Sequence, residues 1–162
     1  MDDYPASDLL RADHREIEFH LDGLREALRN LSAERVAGIR ESFRHIQRLA
    51  RLHMEREERV YYPMVRRLAS DLLSQMDQQH QDIRDTEKFL EQLLQSWPAA
   101  PSDREMGELY RLGVSFHDSI QHHIVDEEDH LLLFADTRLS LSQQEQLRAD
   151  MRKITESAPG VP

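Results

Sequence analysis

The chain has no cysteine, and that one absence removes disulfides, thiolate zinc sites, iron–sulfur ligation and a thiol nucleophile. Glycine is scarce, five residues among 162, and neither GxGxxG nor GxxxxGK[ST] occurs, so no loop is built to cradle phosphates. Positive charge is also short. Against 31 Asp and Glu stand 21 Lys and Arg, a formal charge of −10, whereas a nucleic-acid binder needs a basic face. No run approaches the about 18 consecutive apolar residues of a membrane span. The start, Met1-Asp2-Asp3, lacks the basic and apolar regions of a secretory leader. The expectation is a cytoplasmic protein that partners neither membrane nor nucleic acid. What the chain has in excess is histidine: nine, beside the 31 carboxylates.

Between a few Gly and Pro breaks, apolar residues recur at helical spacing throughout. Leu10, Ile17, Leu21, Leu24 and Leu28 predict a first helix over about 7–30, with Ser7 as its N-cap. Ser32 is expected to cap a second, which carries Val36, Ile39, Phe43, Ile46, Leu49, His53 and Val60 and ends at Pro63. A third starts near Asp71 and stops at Trp97-Pro98; a fourth opens on the capping box Ser102-x-x-Glu105 and reaches about Phe134. A second capping box, Ser142-x-x-Glu145, predicts a short extra helix over 142–156, and Ala158–Pro162 reads as a frayed tail. Four long helices with short connections must run antiparallel with their neighbours. The fold class is therefore all-α: an up-down-up-down four-helix bundle with a short additional C-terminal helix, one domain over 1–157 with its core in 7–134.

The two helix pairs can be laid over each other. Asp13-His14-Arg15-Glu16-Ile17 matches Gln79-His80-Gln81-Asp82-Ile83, and His53-x-x-x-Glu57-Glu58 matches His123-x-x-x-Glu127-Glu128. A lone His-x-x-x-acid pair says little at this density of carboxylates; the repeat says much more. At the rise of an α-helix, all four sets lie about 10 Å from the same end of an antiparallel bundle. Each also falls on its helix's apolar stripe. Four imidazoles and two carboxylates thus converge in an apolar core, where burial without partners is very unfavourable. A His and a Glu at i and i+4 share a helix face, so both reach one centre. Such a set suits iron or another imidazole-seeking first-row metal and leaves coordination positions open.

These residues resemble the hemerythrin-like, or HHE cation-binding, family, whose pattern is His … His-x-x-x-Glu … His … His-x-x-x-Glu on a four-helix bundle around a non-haem, oxo-bridged di-iron centre. The resemblance covers about residues 7–134 and extends to Arg59-Val60-Tyr61-Tyr62-Pro63. It implies that His14, His53, Glu57, His80, His123 and Glu127 bind the metals. His14 and His123 would hold one iron, His53 and His80 the other, with Glu57 and Glu127 bridging. Iron is the implied cofactor, with zinc or manganese as substitutes in isolated protein. The oxygen-carrying members add a fifth His one turn after the first His of the third helix; here that position is Arg84, a permanent cation. A pairing of Arg84 with Glu18 is one expectation for it.

Several readings compete with this assignment. His122/Asp126 is a rival register, about 100° round the helix from His123. Glu127-x-x-His130 and Asp77-x-x-His80 are the only fragments of a ferritin-like set, and the short turn between the third and fourth helices leaves no room for a ferritin-like crossover. His20, His45, His117 and His130 read as surface or boundary residues, Tyr61 as packing, and Glu58 and Glu128 as solvated or as hydrogen-bond partners of ligating imidazoles. The functional expectation is a metal protein that binds or senses oxygen, nitric oxide or iron. The alternatives are a di-iron enzyme acting on peroxide or nitric oxide or in iron–sulfur repair, and a metal-free helical module acting through its surface. Repair members typically carry an N-terminal cysteine pair, which this chain lacks. No general acid or base stands out beyond the ligands, so turnover stays open.

Overall fold

The computed structural model describes residues 4–157, and among them the only regular structure is helical. Helix α1 is Ser7–Arg29. A 3₁₀ turn, Ala33–Arg35, leads into α2, which spans 36–65 as an α-helical stretch Val36–Arg56, a π-helical turn Glu57–Tyr61 and a final turn Tyr62–Val65. Helix α3 is Ser70–Gln95. Helix α4 spans 103–136 and repeats the plan of α2: Asp103–Asp126, a π-helical turn Glu127–Leu132, then Leu133–Asp136. Helix α5 is Leu141–Ser157. Around the bundle, α1 packs on α2 and α4, α3 on α4, and α2 on α3, which closes the four-helix ring; α5 lies across the far end of α2.

The helix count and the bundle agree with the sequence, but several ends differ. Helix α2 runs past Pro63 to Val65, because the π turn before it widens the backbone where the proline ring would crowd a preceding carbonyl. Ser7 does not cap α1. It is the first helical residue, and its hydroxyl donates to Asp136 Oδ1 at 2.5 Å while accepting from Arg11 at 2.7 Å, tying the start of α1 to the end of α4. Ser32 precedes the 3₁₀ turn without a side-chain capping bond. The Ser102–Glu105 capping box is present. The one expected at Ser142 and Glu145 is replaced by Ser140 and Gln143, whose side chains each bond the other's backbone N–H. The segment Ala158–Pro162, read as frayed, lies outside the described residues.

Two apolar clusters fill the bundle, and a polar layer separates them. One contains Ile17, Leu21, Ile46, Ile83, Phe116, Ile120 and Ile124. The other contains Leu10, Tyr61, Tyr62, Val65, Leu73, Met76, Leu131 and Leu132, and α5 closes it with Leu147 and Met151. On each long helix the chain passes from one cluster to the other through inward polar positions, which buried Arg56 flanks on α2 and buried Gln79 on α3. Those positions are His14 on α1, His53 and Glu57 on α2, His80 on α3, and His123 and Glu127 on α4. No described helix is long and apolar enough to cross a membrane.

Candidate metal centre

All six residues singled out by the repeat meet in that layer, and all are buried, none more than 3% exposed. Within the α1–α2 hairpin, His14 Nε2 lies 3.0 Å from His53 Nε2; within the α3–α4 hairpin, His80 Nε2 lies 3.2 Å from His123 Nε2. This corrects the implied grouping of His14 with His123 and of His53 with His80. Each hairpin brings its own two imidazoles together, because its helices are packed side by side. The carboxylates then cross between hairpins. Glu57 sets Oε1 2.9 Å from His53 Nε2 and Oε2 3.0 Å from His80 Nε2. Glu127 Oε2 is 3.2 Å from His14 Nε2 and 3.9 Å from His123 Nε2. Four ligand atoms from His14, His53, Glu57 and Glu127 form one group that could hold an ion, and Glu57, His80 and His123 form another that shares Glu57.

The outer nitrogens of the rings decide what the inner ones offer. His14 Nδ1 is 2.8 Å from Glu128 Oε1, and His80 Nδ1 is 2.7 Å from Glu58 Oε1. His53 Nδ1 is 3.2 Å from Asp13 Oδ2, and His123 Nδ1 is 3.1 Å from Gln79 Oε1. Every one of these oxygens is an acceptor, so every Nδ1 carries its proton and, in a neutral ring, every Nε2 presents a lone pair inward. The outer acceptors are themselves held. Arg56 grips Asp13 at 2.6 Å, Gln79 donates to Asp126 at 2.7 Å, Arg15 reaches Glu128 at 2.9 Å and Arg84 reaches Glu58 at 2.6 Å. Arg84 therefore pairs with Glu58 and not with Glu18, whose carboxylate accepts from Gln121 at 3.0 Å.

The centre is thus a ring of acceptors facing one another. Both oxygens of Glu57 and Oε2 of Glu127 are buried without a hydrogen-bond partner, a costly arrangement unless a cation supplies what donors do not. With no metal, protons take that part. Burial pushes the His53 ring down, but the charge of Glu57 and the bonds to Asp13 and Glu57 lift it to about 10. His80 rises to about 9, its burial outweighed by bonds to Glu57 and Glu58. His14 also ends above its ordinary value, since Glu127 and Glu128 outweigh burial and the neighbouring His53 charge. Glu57, although burial raises it, is held well below the usual carboxylate range by the charge of His53 and by the surrounding imidazoles.

Three participants were missed, and one of them lies at the centre itself. Tyr62 is fully buried, donates its hydroxyl to Glu127 Oε1 at 3.0 Å, lies 3.3 Å from His80 Nε2 and stacks on that ring with centroids 5.4 Å apart. Helical counting put Tyr61 one turn beyond Glu57; the extra residue of the π turn moves Tyr62 to the centre. Tyr61 packs in the apolar cluster, its hydroxyl without a partner. The signals for Tyr62 were its place in Arg59-Val60-Tyr61-Tyr62-Pro63 and the fact that its counterpart in the repeat is Leu132. Asp13 and Gln79 were also overlooked, although each immediately precedes a matched His. Glu58 and Glu128 take the imidazole-bonding role that was one of their two readings.

The rivals fall away on geometry. His122 is 68% exposed on its side chain and meets Asp126 at 3.3 Å outside the core, while Asp126 serves the centre only through Gln79. His130 is exposed and bonds the Asp126 carbonyl, so the ferritin-like pair has no buried histidine on α4. His117, expected at the surface or its boundary, is 4% exposed and sits 2.8 Å from Asp118.

Comparison with curated proteins and with solved structures returns no match. A family model does match, over residues 6–156: the hemerythrin HHE cation-binding domain. With nearly the whole chain covered, and with buried His and Glu groups that could hold a metal at the heart of a helical bundle, the chain belongs to the hemerythrin HHE cation-binding domain family.

Proposed function

We propose that this chain is a non-haem di-iron protein whose centre binds a small diatomic or peroxide ligand. In this reading His14, His53 and Glu127 would hold one ion and His80 and His123 the other, with Glu57 in reach of both groups. The observation that carries the reading is the ring of inward-facing acceptors. Four Nε2 lone pairs and the unpartnered oxygens of Glu57 and Glu127 converge with one side-chain donor, Tyr62, among them.

Iron held by imidazole and carboxylate supplies one-electron redox chemistry and open positions for a small ligand. The chain's own residues do the rest. Glu128, Asp13, Glu58 and Gln79 fix each ring with its Nε2 inward and raise its basicity. Tyr62 holds Glu127 in place and offers one hydroxyl proton beside the centre. The apolar clusters above and below exclude water and strengthen every charge interaction in the layer. A cytoplasmic location goes with this reading.

The test is metal analysis with visible spectroscopy on protein loaded anaerobically with ferrous iron, then exposed separately to oxygen, nitric oxide and peroxide. About two ions per chain are expected. They should be lost when His53, His123, Glu57 or Glu127 is replaced by Ala. One ion per chain, or full retention in both His123→Ala and Glu127→Ala, would falsify the assignment. Turnover of peroxide or nitric oxide in the same experiment would make the protein an enzyme.

A further inference from the structure

A second group of side chains repeats the geometry of the buried pairs on the outside of the bundle. Glu16 and His20 stand at i and i+4 on α1, the spacing that joins His53 to Glu57, and His45 faces them from α2. One ligand atom from each of the three lies within 4.8 Å of the other two. The His20 and His45 rings meet edge to face with centroids 4.1 Å apart at 68°. The buried pairs are alike: 4.6 Å and 62° for His14 with His53, and 4.6 Å and 68° for His80 with His123. The same hairpin seam therefore carries two histidine pairs of nearly the same shape, one in the core and one at the half-buried surface.

The neutral state of His45 also suits a metal. Arg48 places Nη2 2.6 Å from His45 Nδ1. A guanidinium only donates, so His45 accepts there and is a neutral ring. Burial, with His20 and Arg48 nearby, holds His45 below its ordinary value. A neutral imidazole is the form that ligates.

We infer that Glu16, His20 and His45 form a separate, solvent-facing site for a divalent ion of the imidazole-seeking class, such as Zn²⁺, Ni²⁺ or Cu²⁺. It shares no residue with the buried centre. Two imidazoles and one carboxylate leave its remaining positions to water, an arrangement that suits these ions and not Mg²⁺ or Ca²⁺. Binding is weaker than at the core, because Glu16 is exposed and Arg48, a fixed positive charge, occupies one nitrogen of His45. Arg48 must swing aside as the ion enters.

The experiment is a Ni²⁺ titration of the full-length chain, with its buried centre filled beforehand with Zn²⁺, followed by two-dimensional amide NMR. Paramagnetic broadening should begin around residues 16–20 and 45–48. His20→Ala and His45→Ala should each raise the apparent Kd about tenfold or more, and Arg48→Ala should lower it by removing a like charge. The metals per chain at the buried centre should not change in any of the three, which separates this site from the di-iron reading. Broadening centred on His122 or His130, or an unchanged Kd in His45→Ala, overturns the inference. Melting curves of the variants confirm that the fold survives substitution at these partly exposed positions.

Discussion

At the scale of single residues, the centre depends on groups that never touch the proposed metals. Asp13 bonds His53 Nδ1 and is itself gripped by Arg56, so it fixes both the tautomer and the aim of that ring. Asp13→Ala should weaken metal loading about 10- to 100-fold while leaving the fold intact; competition with a chelator of known affinity measures it, and unchanged affinity would show that His53 is held by packing alone. Tyr62→Phe asks a different question. It keeps the ring stacked on His80 and removes only the donor to Glu127 Oε1. The metal-free form should lose about 1–3 kcal/mol of stability, because another buried oxygen is left without a partner, and the metal-loaded form less. Urea unfolding of both forms reads the difference. The six inner residues were legible in the sequence, since buried imidazoles with a carboxylate at i+4 occurred twice in matching places. Asp13 and Gln79 were not. Each lies beside a His of its own helix yet serves the His of the next one, a relation that spacing along one helix does not encode.

Among the elements, α5 has the least obvious role. It contributes nothing to the polar layer, yet Leu147 and Met151 are buried in the cluster that holds Tyr61, Tyr62 and Val65, and Gln144 Oε1 accepts from the Ala6 backbone N–H at 2.7 Å. The helix is a lid on the apolar cluster that flanks the centre. Met151→Ala should cost about 2–5 kcal/mol, the range for a long core side chain truncated to a methyl, with metal content per folded chain unchanged. Equilibrium unfolding with metal analysis checks both halves of that statement, and a near-zero cost would place α5 loosely on the bundle. The two π turns are the other element-level finding. Both begin at the Glu of a His-x-x-x-Glu pair, and such turns favour functional sites. Helix existence and stripes followed from apolar spacing, but nothing in composition distinguishes a π turn from an α turn. Pro63 hints at the first, while the second has Leu133 in the matching place. Cap positions failed for a similar reason: Ser140-x-x-Gln143 and Ser142-x-x-Glu145 both fit the capping pattern, and the structure uses the first.

For the whole molecule, protons and metal compete for the same lone pairs, and this sets opposite pH dependences for the two forms. In the metal-free chain His53 is raised to about 10 and His80 to about 9, against an ordinary 6.5. A raised imidazole contributes stability that is complete below its unfolded value and disappears as pH climbs through the folded one. Glu57, depressed in the folded state, contributes above its unfolded value and is lost as pH falls through the folded one. The metal-free protein should therefore be most stable between the ordinary carboxylate range and about pH 6.5, and lose the imidazole contribution progressively from there to about pH 10. Metal loading needs all four imidazoles neutral, so it releases the protons of His53 and His80 and strengthens with rising pH. The gap in melting temperature between loaded and metal-free protein should be wide at pH 8 and close towards pH 5, where protons win. Calorimetry in buffers of different ionisation enthalpy should show proton release on loading at pH 7. If the two forms instead lose stability in parallel from pH 8 to 5, histidine ligation at this centre is wrong.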